Sequence, residues 1–255
     1  MDSTQRFSNR VENYVKYRPH YPAGVVTYLQ ERYDLTPGTI ADIGAGTGIL
    51  TKLFLDAGYM VNAVEPNEPM LTEATSQLKN YPGYTAVFAT AEDTTLPNNS
   101  VDAVIAGQAF HWFNPEKSKV EFTRILKPHG LVALVWNERR IEAPFEQEYD
   151  ALINRCGRDY VQVKHRNIEA SDIAAFFAPA PMELKVFSNQ QVFDYEGLKG
   201  RLLSSSYMPL EGEPGHEEAM AELDNLFNKY KQGGNITITY DTRLYSGRWQ
   251  AINSI

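Results

Sequence analysis

The sequence predicts an α/β fold in which helices cover both faces of a doubly wound, mostly parallel sheet. Three observations predict this class. Strand-like and helix-like segments alternate through the first half of the chain, which is the pattern of a parallel sheet with crossover helices. A glycine-rich turn follows the first predicted strand. Hydrophobic residues make up 43% of the 255 residues, which is enough to bury a core without disulfides or metals.

The elements on either side of the glycine-rich turn have clear local signals. Residues 39–43 are a short β-branched run and predict the first strand. Apolar residues then recur at helical spacing from Ile49, and Gly58 is a typical C-terminal stop for this helix. Residues 59–64 predict the second strand, and Asn67 is placed to cap the helix that follows.

The next elements continue the alternation. Residues 84–89 and 101–106 predict a third and a fourth strand. Asn114 and Pro115 open another helix, since proline is favoured in the first turn. Residues 131–136 form an apolar run that is typical of a fully buried strand in a parallel sheet.

The second half of the chain is less regular. Residues from about 138 to 182 lack a clear strand signal and are mostly helix-like. A strand is predicted over 183–193 and an amphipathic helix over 217–231. Residues 235–245 alternate apolar and polar side chains, which predicts an edge strand.

The charge balance and the cysteine content exclude several classes of protein. The chain has 24 Lys and Arg against 32 Asp and Glu, and its net charge of −8 argues against a basic nucleic-acid footprint. The single cysteine, Cys156, excludes an internal disulfide framework and a thiolate zinc cluster. The N-terminus has no signal-peptide pattern, and no apolar run approaches the roughly 20 residues that span a bilayer, so we expect a cytoplasmic protein.

The most informative stretch is the turn after the first strand, with glycines at Gly44, Gly46 and Gly48. Glycines at such a turn let the backbone approach a ligand closely, and the helix N-terminus that follows offers N–H groups to a negative group. A dinucleotide motif requires glycine or alanine where Ile49 stands, and no Gly-Lys-Ser/Thr of a P-loop follows. The remaining pattern is Asp-x-Gly-x-Gly-x-Gly, which begins at Asp42.

With these residues the sequence resembles the class I S-adenosylmethionine (SAM) dependent methyltransferases. It is most similar to their small-molecule group, which includes ubiquinone-type and trans-aconitate-type enzymes, and the resemblance is best over residues 38–137. It implies a Rossmann-like fold of seven strands, mostly parallel with one antiparallel strand near the C-terminus, and SAM as the cofactor. In this family the glycine-rich loop wraps the methionine part of SAM, which assigns cofactor-binding roles to Asp42, Gly44, Ala45 and Gly46.

The ends of the second, third and fourth strands supply the other cofactor residues that the resemblance implies. Glu65, followed by Pro66, ends the second strand, where a carboxylate can accept bonds from both ribose hydroxyls. NAD would use the same acidic residue, so Glu65 alone does not choose between the two cofactors. The turn after the third strand cradles the adenine in related enzymes, which points to Ala91 and Glu92. Gln108, after the fourth strand, is expected at the methionine end of SAM.

Aromatic and basic residues near the predicted strand ends are candidates for the acceptor side of the site. His111 is the candidate general base, needed only if the acceptor must lose a proton. The alternative is that His111 packs beside Trp112 without touching a proton. The N-terminal segment is expected to fold over the cofactor as a lid or, alternatively, to pack its aromatic residues on the sheet. The expected lid contacts to SAM come from Tyr14 and Arg18, and the acceptor contacts from Tyr17, Phe110, Trp112 and Tyr207.

The motifs together predict one methyltransferase domain over residues 1–255. Residues 1–35 are expected to form the lid, 36–137 the cofactor core, 138–182 a substrate cover, and 183–255 the C-terminal strands and helices. We expect methyl transfer to a small-molecule acceptor, without a nucleic-acid partner and without a metal. The sequence identifies neither the acceptor nor the oligomeric state. Two alternatives stay open: an NAD-linked oxidoreductase, and a domain that binds SAM or another metabolite without catalysing a reaction.

Overall fold

The computed structural model describes residues 16–157, 170–205 and 207–249. The strands in these ranges are β1 (Thr39–Ile43), β2 (Met60–Val64), β3 (Tyr84–Val87), β4 (Val101–Gly107), β5 (Leu126–Arg139), β6 (Glu183–Phe193) and β7 (Ile236–Arg248). The helices are α1 (Gly24–Tyr33), α2 (Ile49–Asp56), α3 (Glu68–Leu78), α4 (Pro115–Ile125), α5 (Pro144–Cys156), α6 (Ala170–Phe177), α7 (Tyr195–Leu203) and α8 (His216–Tyr230). None of the helices in the described ranges is long and apolar enough to cross a membrane.

The strands form one seven-stranded sheet in the order β3-β2-β1-β4-β5-β7-β6. Strands β1 to β5 pair in parallel, and β7 is antiparallel to both of its neighbours, β5 and β6. The predicted Rossmann-like sheet with one antiparallel strand near the C-terminus is therefore confirmed. The parallel strands place their carboxyl ends at one edge of the sheet, where open α/β folds bind ligands.

The prediction that residues 235–245 form an edge strand is wrong. Strand β7 covers these positions but lies between β5 and β6, so that β6 is the edge. Ile236, Ile238 and Tyr240 are buried, while the threonines between them are more exposed. Such alternation reports burial on one face of a strand, and it does not report whether both backbone edges are paired.

The core is divided by the sheet into two layers. Leu131, Ala133 and Val135 of β5 pack with residues of α1 and α2 on one face. Val132 and Leu134 point the other way and pack with α4 and α6. This arrangement follows from the alternation of side chains along a strand that is buried on both faces.

A third apolar cluster lies beyond the end of the sheet and is built from α5, α7 and α8. Phe145, Leu198 and Leu223 represent the three helices in it, and Ile238 and Tyr240 join it from the start of β7. Because β7 is antiparallel, its first residues lie at the edge where β5 ends, with Tyr240 paired to Arg139. The cluster therefore stands above the carboxyl edge of the sheet, where the substrate cover is predicted.

Candidate active site

The glycine-rich turn between β1 and α2 requires glycine for two physical reasons. Gly44, Gly46 and Gly48 have φ values of +69°, +57° and +84°, a left-handed conformation that other residues adopt only with strain. At two of the positions there is also no room for a side chain. A Cβ on Gly44 would lie 2.6 Å from the Cβ of Ala109, and one on Gly48 would lie 2.6 Å from Leu78 Cδ1.

Gly46 differs from its two neighbours because the space in front of it is open. A Cβ built on Gly46 would meet nothing closer than the sulfur of Met70, at 3.9 Å. The backbone conformation therefore demands glycine there, whereas packing against the protein does not. The turn presents this open backbone at the carboxyl edge of the sheet, where a ligand can approach it closely.

The turn is fastened to the end of β2. The backbone N–H groups of Gly44 and Ala45 both donate to the carbonyl oxygen of Val64, at 2.8 and 3.1 Å. Glu65 and the half-buried Pro66 follow Val64 directly. The predicted cofactor residues of the turn and of β2 are thus brought together by backbone hydrogen bonds.

Glu65 is a buried carboxylate held by two backbone donors. Only 7% of the residue is exposed. Its Oε2 accepts from Gly46 N–H and its Oε1 accepts from Asn67 N–H, each at 2.8 Å. Burial raises the pKa of Glu65, and the two backbone hydrogen bonds partly oppose that rise. Each oxygen keeps a second lone pair, so the carboxylate can still accept hydroxyl donors.

Asn67 also caps the next helix, as the sequence predicts. Its side-chain oxygen accepts from the backbone N–H of Met70 at 3.0 Å, which satisfies one unpaired donor at the start of α3. Its own N–H is the one that binds Glu65. A single residue therefore fixes both the helix start and the carboxylate.

Asp42 is a fully buried carboxylate beneath the turn. Its Oδ2 accepts from the hydroxyl of Thr51 at 2.6 Å, and its Oδ1 has no hydrogen-bond partner among the described residues. Burial is the main cause that raises the pKa of Asp42 to about 7; the Thr51 bond lowers it and the charge of Glu65 raises it further. An unsatisfied buried acceptor of this kind is rare in folded proteins, and its ionised form favours a positive charge nearby.

The turn after β3 is tied to the start of α4. Ala91 is buried in the core, and Glu92 is half-buried. The Glu92 Oε1 accepts from the backbone N–H of Asn114 at 2.7 Å. This bond fixes the turn at the carboxyl edge of the sheet. The adenine contacts expected of Ala91 and Glu92 stay predictions.

Gln108 has a left-handed backbone conformation at the end of β4. Its φ is +55°, which is uncommon for a residue other than glycine and costs conformational energy. Two hydrogen bonds to β5 hold it there. Its N–H donates to Val135 O at 2.9 Å, and its Nε2 donates to Asn137 O at 3.2 Å. Strain of this kind is common at ligand sites, and Gln108 lies where the methionine end of the cofactor is expected.

The aromatic residues after Gln108 divide between the core and the surface. Phe110 is only 3% exposed and packs 4.6 Å from the ring of Phe176 in α6, so it supports the wall of the site from behind. Trp112 is 38% exposed, and the half-buried His111 lies with its ring centre 4.8 Å from that of Trp112. Of the predicted acceptor residues here, Trp112 is the one that presents a large surface.

Residues 17–20 lie across the carboxyl edge of the sheet and are held there by side-chain amides. Asn137 Nδ2 donates to the carbonyl oxygens of Pro19 and His20, both at 3.3 Å. Gln191 Nε2 donates to Tyr17 O at 3.2 Å. Neither Asn137 nor Gln191 can be predicted for this role from the sequence, because amides in two distant strands carry no local signal of it.

The remaining predicted residues of the lid and the acceptor side lie near the third apolar cluster. Tyr17 and Tyr207 are half-buried and pack against it. Arg18 Nη2 donates to the backbone oxygen of Ser204 at 3.0 Å. Tyr14, which is expected to contact the sulfonium, lies outside the described residues. The predicted cofactor residues from Asp42 to Gln108 thus lie near the glycine-rich turn, the predicted cofactor side, whereas Tyr17, Arg18 and Tyr207 lie near the third apolar cluster.

Comparison with known proteins gives this site its family. Residues 41–134 match the family model described as a methyltransferase domain. The fold is similar to a solved structure described as a type II methyltransferase from Anaeromyxobacter dehalogenans, with a TM-score of 0.63, 25% sequence identity, and coverage of 91% of this chain and 98% of that one. These matches identify residues 41–134 as a methyltransferase domain of the class I SAM-dependent type. The matched part of the methyltransferase domain holds the glycine-rich turn, Glu65 and Gln108, and Tyr17, Arg18 and Tyr207 lie outside it.

Curated relatives extend the similarity to the flanks of the methyltransferase domain. An uncharacterized methyltransferase of Mycobacterium tuberculosis is 36% identical over 156 residues, which is 61% of this chain and 62% of the relative. An uncharacterized methyltransferase of Schizosaccharomyces pombe is 26% identical over 239 residues, which is 90% of each chain. The match to the mycobacterial relative thus spans less than two thirds of that protein's length.

Proposed function

We propose that the chain transfers a methyl group from SAM to a small-molecule acceptor. The observation that carries the proposal is the carboxylate of Glu65, which is buried, fixed by Gly46 and Asn67, and placed beside the open backbone of the glycine-rich turn. A carboxylate in this position suits a ribose diol, which offers two hydroxyl donors.

The fit of SAM to these residues rests on three features. Asp42 has an unsatisfied buried oxygen and a pKa raised to about 7, and a cationic cofactor stabilises its ionised form in a way that a neutral cofactor does not. Gly46 leaves the space that a Cβ would fill. Glu65 keeps free lone pairs on both oxygens. SAM supplies, when bound, a methyl group activated by a positively charged sulfur.

The residues around the methyl-transfer centre act mainly by orientation. Gln108 is fixed by two hydrogen bonds to β5, and the chain over the site is held by Asn137 and Gln191. Rigid placement of two reactants accounts for about 7–11 kcal/mol of barrier lowering in well-oriented systems. Phe110 packs against Phe176 behind the site. This packing limits the movement of the site and helps to exclude water from it.

His111 is the residue that we assign to proton removal when the acceptor has a proton to lose. It is half-buried in the short 3₁₀ turn Phe110–Trp112 that follows Gln108. General base catalysis by a positioned side chain contributes typically 10²–10⁴-fold to the rate. For an acceptor that need not lose a proton, this contribution is absent and orientation is sufficient.

Two measurements test the proposal against its alternatives. Calorimetry with SAM and with NAD distinguishes a methyltransferase from an oxidoreductase, and we expect heat only with SAM. Incubation of the purified chain with methyl-labelled SAM and a cell extract then tests for turnover, with label expected in a small molecule. Binding of NAD without SAM would refute the proposal, and SAM binding without labelled product in any extract would favour a non-enzymatic binding domain.

A further inference from the structure

Arg201 of α7 is a buried cation whose polar contacts within the described ranges are all uncharged. Only 8% of the residue is exposed. Its Nε donates to the hydroxyl of Tyr240 at 3.2 Å, and its Nη1 lies 3.4 Å from the hydroxyls of Ser204 and Ser205. Within the described part of the chain, none of its hydrogen-bond partners is acidic. A buried charge without a counter-ion is costly, so its presence calls for an explanation.

Other arginines close to this edge of the sheet differ from Arg201 in having a carboxylate partner. Their ion pairs are Arg139 with Asp150, Arg140 with Asp241, and Arg243 with Glu138. Acidic residues are therefore present in this region, and they form ion pairs with the neighbouring arginines. Arg201, which contacts Tyr240 of the third apolar cluster, differs from these three arginines in having no carboxylate partner among the residues that the structure describes.

The surroundings of Arg201 are rich in unsatisfied donors. The hydroxyl of Tyr149 and the Nε of Arg139 are buried and have no hydrogen-bond partner among the described residues. The guanidinium of Arg139 lies 5.1 Å from the centre of the Tyr149 ring. Burial raises the pKa of the Tyr149 hydroxyl, while the charges of Arg201 and Arg139 act in the opposite direction. Tyr149 therefore stays a neutral donor, and neither its hydroxyl nor Arg139 Nε has an acceptor within the described part of the chain.

The cluster is close enough to the cofactor side for one small molecule to reach both. Tyr240, which accepts from Arg201, is paired in register with Arg139 at the end of β5. Strand β7 lies two strand spacings, or about 10 Å, from β4, and Tyr240 lies three residues, or roughly 10 Å, further along the strands than Gln108, so the two residues are roughly 14 Å apart. A hydrogen-bonded path also leads from the cluster to the segment that lies across the carboxyl edge of the sheet, because Tyr240 donates to Gln191, which holds the backbone of Tyr17.

We propose that the methyl acceptor carries an oxyanion, a carboxylate or a phosphate, which binds Arg201 with Tyr149 beside it. This inference rests on the proposed methyltransferase function and adds the chemical class of its acceptor. A planar guanidinium binds both groups through paired N–H donors, and a tyrosine hydroxyl adds a further donor. The net charge of the chain is −8, so a local cationic site stands out against an acidic surface.

Binding of simple anions to the intact protein gives the first test. The thermal midpoint is measured with increasing succinate and with increasing inorganic phosphate, for wild type, Arg201→Gln, Arg201→Lys and the matched control Arg140→Gln. We expect the midpoint of wild type and of the control to rise with one of the probes. The rise should be lost in Arg201→Gln and partly kept in Arg201→Lys. An equal rise in wild type and Arg201→Gln would overturn the proposal, as would no rise in wild type.

The charge of the natural acceptor gives a second test that needs only the wild-type protein. A cell extract is divided on an anion-exchange column, and each fraction is incubated with the protein and methyl-labelled SAM. We expect label incorporation in fractions that bind and elute with salt, and acceptor activity in the flow-through would refute the proposal. Loss of activity after phosphatase treatment identifies a phosphate, and its survival identifies a carboxylate.

The two tests separate the two proposals. If SAM binds but no fraction yields labelled product, the methyltransferase function fails and the probe titrations still decide the anion site. If labelled product appears only from uncharged acceptors, the methyltransferase function stands and the anion site fails. The unfolding midpoint without probe shows whether Arg201→Gln is folded, so that loss of the response is not mistaken for loss of structure.

Discussion

The backbone N–H of Gly46 donates a 2.8 Å hydrogen bond to the Oε2 atom of Glu65. This bond joins the two strongest cofactor motifs of the sequence, one after β1 and one after β2. It means that the conformation of the glycine-rich turn and the orientation of the carboxylate depend on each other. Substitutions in either motif therefore need a control that separates a local change of stability from a loss of ligand contacts.

Gly46→Ala is expected to weaken SAM binding more than it weakens the fold. A left-handed alanine costs about 1–2 kcal/mol of stability. The added methyl group also enters the open space in front of the turn, which the proposed cofactor occupies. Gly58→Ala is the matched control, because Gly58 has φ +85° and nothing within 4 Å of a built Cβ. Both variants should lose similar stability in urea unfolding, and only Gly46→Ala should lose affinity in calorimetry. Equal affinity in the two variants would mean that the turn does not face the cofactor.

Glu65→Gln is expected to raise the dissociation constant of SAM by about tenfold or more, since hydrogen bonds to a charged group contribute about 1.5–3 kcal/mol each. One oxygen becomes an NH₂ group that faces a backbone donor, from either Gly46 or Asn67. Glu68→Gln is the control, because Glu68 is exposed in the first turn of α3. Calorimetry measures both variants. An unchanged dissociation constant in Glu65→Gln would remove Glu65 from the ribose role.

The sequence predicts best those features that depend on neighbouring residues. Asn67 caps α3 as expected, because capping needs only a side chain three residues from its donor. The glycine-rich turn also lies where its pattern predicts, because its positive φ values require glycine at particular positions of the turn itself. Strand β6 has the predicted limits of 183 and 193 because alternating burial fixes it.

Features that depend on contacts between distant residues could not be predicted from the sequence. The position of β7 inside the sheet depends on which strands flank it, and its own pattern cannot report that. The left-handed backbone conformation of Gln108 is held by hydrogen bonds to β5, and the residue type of Gln108 does not predict that conformation. The cluster around Arg201 combines α5, α7 and β7, so its residues are far apart in the chain and have no shared motif.

His111→Gln is expected to lower turnover by about 10²-fold or more when the acceptor must lose a proton, with little change in SAM affinity. The reason is that His111, in the turn after Gln108, is the residue to which we assign proton removal. His129→Asn is the control, because His129 is exposed and has a left-handed backbone conformation in the irregular stretch of β5 between Leu126 and Leu131. Turnover is measured over a range of pH with the acceptor found in the extract screen. Equal turnover in His111→Gln and wild type across that range would show that His111 removes no proton.

Asp42→Asn is expected to make the stability of the ligand-free protein less dependent on pH. The pKa of Asp42 is about 7 in the folded chain, well above its ordinary value, mainly because of burial. The folded state therefore binds more protons than the unfolded state between the two pKa values, and stability falls as the pH rises through 7. A shift of this size corresponds to a loss of roughly 3 kcal/mol between about pH 5 and about pH 8. Asparagine stays neutral and can still accept the hydrogen bond from Thr51, so the variant should become more stable relative to wild type as the pH increases. Urea unfolding of both proteins at several pH values measures this difference, and a difference that is constant with pH would show that Asp42 is already ionised at about pH 5.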